Sequence, residues 1–195
     1  NCNRCNRTVH TNMFFSQKKK ENIAEYVLYM WQIEDIIRAN NLNIESITAN
    51  IIDKFTSLTD KQRQDLIEWY DSLIDMMRRE NVVEKGHLQI NKNTIMSLDE
   101  LHTQIMRHDK FATYNAEFYR TLPYIVEIRS KAGDNKSGEI ESCFNALYGI
   151  LMLRLQGKEI SKETANAINQ ISRFLAILSA YYKKDFNNEL FTDND

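Results

Sequence analysis

One proline and five glycines in 195 residues leave few points at which a helix must stop. Apolar residues recur at three- and four-residue spacing nearly throughout, and no stretch keeps the alternation of a half-buried strand. The expected fold class is therefore all-α: a bundle of about six or seven helices with short connections. A chain of 195 residues can bury one sizeable core, and residues 13–186 read as a single domain. Residues 187–195 read as a polar tail that frays.

The periodicity predicts a first helix over 17–40 and a second over 44–55 capped by Asn43. A third begins at Thr59-Asp60-Lys61-Gln62, where hydroxyl and amide can close a capping box, and Gly86 is expected to end it. A fourth starts between His87 and Asn93 and breaks near His108. The following segment, 110–131, contains Pro123, which should kink or restart it. Residues 132–138 read as a loop, 139–156 as a helix stopped by Gly157, and Ser161 as the cap of a last helix running to Phe186. The helix near 139–156 is apolar around most of its circumference, which predicts a central place in the bundle. Gly149 in its middle suggests a neighbour that approaches closely.

Charge and cysteine usage exclude several classes. Lys plus Arg is 25 and Asp plus Glu is 27, so no strong field draws in nucleic acid or an anionic membrane. The most apolar run, 143–155, contains Asn145 and Arg154 and is too short to cross a bilayer, which needs about 20 apolar residues. The cysteines at 2, 5 and 143 make no disulfide framework, and a cytoplasmic location is expected. Cys2 and Cys5 with His10 offer half of a zinc site, but no second close pair follows, so no metal is assigned. Residues 1–12 read instead as a tag, an over-extended start or a disordered segment before Met13. No glycine-rich phosphate loop and no di-metal ligand set is present, so no cofactor is implied and no residue is assigned as catalytic.

Four polar side chains fall on faces that the helical projection makes apolar. Glu34 lies among Ile23, Val27, Met30 and Ile37, and Arg38 one turn on can pair with it. His102 shares a face with Ile95, Leu98 and Ile105. Arg129 follows Leu122, Ile125 and Val126, and Arg154 sits between Leu147, Ile150 and Leu151. Unpaired buried charge is costly, so Glu34 with Arg154 or Arg129 is the expected pairing. In one reading these are internal ion pairs that fix helix register. In the other, Glu34, Arg38, His102, Arg129 and Arg154 line a cleft for a small anionic or polar ligand, flanked by Trp31 and Tyr148.

The stretches NIAEYVLYMWQIEDIIRANN and ESCFNALYGILMLRLQGKEIS, with KGHLQINKNT and LPYIVEIR between them, resemble a bacterial family catalogued as a domain of unknown function. The resemblance covers about 13–182, implies a cytoplasmic helical protein, and carries no catalytic residues with it. Together these observations favour a non-enzymatic helical interaction module that binds a protein partner or forms a homo-oligomer, with surplus aromatics (Phe14, Phe15, Tyr29, Tyr181, Phe191) as contact groups. A small-molecule binding protein or enzyme, with its site between the first, fourth and fifth helices, is the alternative.

Overall fold

The computed structural model describes residues 17–133 and 137–192, and among them every regular element is helical. In chain order these are α1 (Ile23–Ala39), α2 (Ile44–Asn50), α3 (Asp60–Arg79), α4 (Gln89–Met106), α5 (Ala112–Ala132), α6 (Glu139–Leu155) and α7 (Lys162–Phe186). Short 3-10 turns at Ile52–Lys54 and Asp109–Phe111 fill two of the connections. The chain forms two compact units, one containing Tyr29–Lys92, the other Asn22–Leu28 and the described residues from Asn93 onward. Helices α1 and α4 therefore each contribute residues to both.

In the first unit, Ile33 and Ile37 of α1, Ile47 of α2, and Leu73, Ile74 and Met77 of α3 are buried at 3% exposure or less. The starts of these helices follow local chemistry. Asn43 accepts the Ser46 N–H at 2.7 Å, and Thr59 and Gln62 close their capping box at 3.2 and 2.9 Å. The end of α3 differs from expectation. It stops at Arg79, not at Gly86, because Asn81 takes the left-handed conformation (φ 58) and lets the Val82 N–H return to the Met77 carbonyl. Asparagine tolerates that conformation nearly as well as glycine does. Gly86 (φ 92) instead shapes the loop that leads to α4.

In the second unit α5 and α7 run antiparallel. Gln170 reaches Glu117 and Thr121 on α5, and Phe174 and Tyr181 pack on Tyr114. Helix α5 is continuous through Pro123. That proline lies on the exposed face, so the Tyr119 carbonyl it leaves without an amide partner can turn to water. Ser179 of α7 accepts the Ala24 N–H at 3.3 Å and ties down the start of α1.

Helix α6 has two characters. Ile140, Cys143 and Phe144 in its first half are at most 1% exposed, as befits a helix apolar on most sides. In its second half Leu147, Leu151 and Leu153 are only half-buried and Leu155 is 68% exposed. The enclosure expected for all of 139–156 thus stops about halfway. Here a groove lies between α6 and its neighbours α5 and α7.

Candidate functional site

In the first unit, Glu34 is fully buried and has three hydrogen-bond partners. Its Oε1 accepts the Leu88 N–H at 2.9 Å and the Asn91 amide at 2.6 Å, and its Oε2 accepts from His87 Nδ1 at 2.6 Å. His87 stacks on Trp31 with ring centroids 4.2 Å apart and planes 12° apart. Glu80 takes the next amide, Gln89 N–H, at 2.7 Å. Two carboxylates therefore sit on the first N–H groups of α4, where unsatisfied donors and the helix dipole both favour negative charge. The predicted pairing of Glu34 with Arg38, Arg129 or Arg154 is replaced by this cap. Arg38 bonds Asp35 at 2.8 Å and the carbonyls of Val82 (3.0 Å) and Gly86, so it clamps the loop between α3 and α4.

Of the proposed cleft residues, Trp31, Glu34 and Arg38 lie in the first unit and His102, Arg129, Tyr148 and Arg154 in the second. His102, 5% exposed, shares a 2.7 Å hydrogen bond between its Nδ1 and the Tyr114 hydroxyl, inside a ring of Phe118 and Phe174. Burial holds its pKa below the ordinary histidine value, against a weaker upward pull from Asp99, and burial raises that of Tyr114. Burial also pushes the Cys143 thiol well up, which leaves it unreactive. Arg154 is exposed and Arg129 half-exposed: Ile150 and Ile125 of their stripes are buried, but Leu147, Leu151 and Leu122 are only half-covered and Val126 is exposed. Tyr29 and Tyr181, expected as exposed contact groups, are half-buried, while Phe191 is 38% exposed. Phe14, Phe15, Cys2, Cys5 and His10 lie outside the described residues.

Sequence reasoning passed over Glu117, which is 3% exposed. It joins α5 to α7 through Gln170 (2.8 Å) and Arg173 (3.2 Å) and holds Arg120 at 3.0 Å on its own helix. The Gln170 amide above all, helped by Arg173 and Arg120, holds its carboxyl below the usual range although burial acts the other way. Among the described residues no three His, Cys, Asp or Glu side chains gather as a metal site would require.

A groove of about 840 Å³ lies between α5, α6 and α7. Tyr124 and Ile128 of α5, Gly149, Ile150 and Leu153 of α6, and Ala167 of α7 line it. At its rim Lys131 pairs with Glu127 at 2.6 Å. Gly149 does not serve a close helix contact, as its position suggested: nothing lies within 4 Å of where its Cβ would stand. Its effect is to keep the groove wall bare. The one hint of this in the sequence is a glycine set in the middle of an otherwise strongly apolar helix.

The chain belongs to a family described as a domain of unknown function, DUF4924, whose family model matches residues 13–189. No curated protein and no solved structure matches it. Among the described residues no helix is long and apolar enough to cross a membrane.

Proposed function

We propose that this chain is a non-enzymatic helical binding module, and that the groove between α5, α6 and α7 receives an apolar segment of a protein partner. The carrying observation is Gly149. Glycine inside a helix costs about 0.5–1 kcal/mol relative to alanine, and here no packing constraint repays it. Keeping a binding groove open is a reason for that cost. The commitment of Glu34, Arg38, His102 and Glu117 to partners within their own units supports the same reading, since none is left as a reactive centre. A cytoplasmic setting agrees with the low cysteine count: three, at 2, 5 and 143, which make no disulfide framework.

A photo-crosslinking residue placed at Leu153, or separately at Ile128, tests the proposal in cells. Expected is a discrete crosslinked protein from both positions that disappears when Gly149→Leu fills the groove. No crosslink from either position would overturn it. So would a metabolite whose thermal stabilisation of the wild type is lost in Gly149→Leu, which would identify a small-molecule pocket instead.

A further inference from the structure

Helix α5 carries a second uncovered face, turned away from both its buried side and the groove. Ala112, Tyr119 and Val126 fall seven residues apart, and so do Ala116, Pro123 and Ser130. All six are exposed, with Tyr119 at 61% and Val126 at 57%. Two interleaved seven-residue rows four apart make the seam of a helix pair, and this seam holds no charge over more than four turns. An outward helix face in water normally carries charge; this one is built of small and apolar groups.

The flanking residues identify the partner. On one side of the seam stand Arg120 and Glu127, also seven apart, opposite in sign and both exposed. In an antiparallel pair each flank meets the same flank of the other helix. We infer that the α5 seam pairs antiparallel with the same seam of a second copy, about a two-fold axis near Pro123. In that register Val126 packs on Pro123 of the other copy and Tyr119 on Ser130, and each contact occurs twice by symmetry. The same register sets Arg120 of one copy against Glu127 of the other, again twice. A second copy is complementary to this face by symmetry alone. Arg120 is held by Glu117, which also has Gln170 and Arg173 as partners, and Glu127 is held by Lys131 in a pair exposed at both ends. The shared strip is about 12 residues, or roughly 18 Å, long. That is less than a standard interface, so dimerisation is expected at tens of micromolar and above. Apart from Glu127, which also stands at the groove rim, this surface is separate from the groove, and the inference stands whether or not the groove binds a partner.

Sedimentation equilibrium of the full chain from about 5 to about 500 µM reads the association directly. The expected result is a reversible monomer–dimer equilibrium. Val126→Lys should weaken it at least about tenfold, with circular dichroism and melting temperature unchanged because the site is exposed. Arg120→Glu should weaken it too, and the double swap Arg120→Glu with Glu127→Arg should restore it. A strict monomer over the whole range overturns the inference. So does a dimer indifferent to Val126→Lys, or a double swap no better than the single one.

Discussion

Replacing Glu34 by alanine separates a structural carboxylate from a functional one. Its side chain is fully buried and receives three hydrogen bonds, from Leu88, Asn91 and His87. Removing it strands the Leu88 N–H and the Asn91 amide, both buried, at about 1–3 kcal/mol each. The α4 terminus also loses a favourable charge. The sum is about 3–5 kcal/mol, in line with breaking buried ionic networks. For a chain of this size about 2–4 °C accompanies each kcal/mol, so the melting temperature should fall by roughly 6–20 °C. Glu34→Gln keeps an acceptor for Leu88 and Asn91, and His87 can change tautomer to accept from the new amide. That variant should lose only about 1–2 kcal/mol. Urea and thermal unfolding followed by circular dichroism measure both. An alanine variant within about 1 kcal/mol of wild type, or a glutamine variant as unstable as alanine, would refute the capping role.

Gly149→Ala should stabilise the chain by about 0.5–1 kcal/mol, since its Cβ meets open space; a loss in urea titrations would show that the wall is not bare. Acid should destabilise in two steps. His102 is held below its ordinary value of 6.5, so the unfolded chain takes up that proton first, and stability is full above about pH 6.5 and declines as pH falls through it. Glu117 is held low as well; its contribution is present above the ordinary carboxylate range and is lost as pH falls towards its folded value. Unfolding free energy measured against pH should show both declines, and His102→Gln should remove only the upper one. Arg38→Met should free the carbonyls of Val82 and Gly86, so amide exchange should rise across residues 80–88 while α3 and α4 keep their protection. Unchanged exchange in that loop would show that Arg38 is not its clamp.

The helices were largely legible because their signals are local. Thr59 with Gln62, Asn43 and Ser161 each hold the amides that their spacing predicted. Where α3 ends was not legible, because Asn81 and Gly86 both suit a left-handed residue and only packing decides which is used. Glu34 stands out as a polar group on an apolar face, and it is buried; its partners are not legible, because they come from the loop before α4 and the first turn of that helix, more than fifty residues away. His87 supports the amide end of α4 through its hydrogen bond to Glu34. Arg154 is exposed although the projection sets it in an apolar stripe, because the projection assumes that every apolar face is covered. At the second half of α6 it is not, and that departure from the pattern is what reveals the groove.

In the proposed function, binding is carried by uncovered apolar surface and the buried charges only hold the helices in place. Crosslinking yield from Leu153, compared between Gly149→Leu and Glu34→Gln at a temperature where both are folded, tests this most directly. The expected result is a yield abolished by Gly149→Leu and kept by Glu34→Gln. A yield that survives the filled groove but vanishes with the Glu34 carboxylate would contradict it.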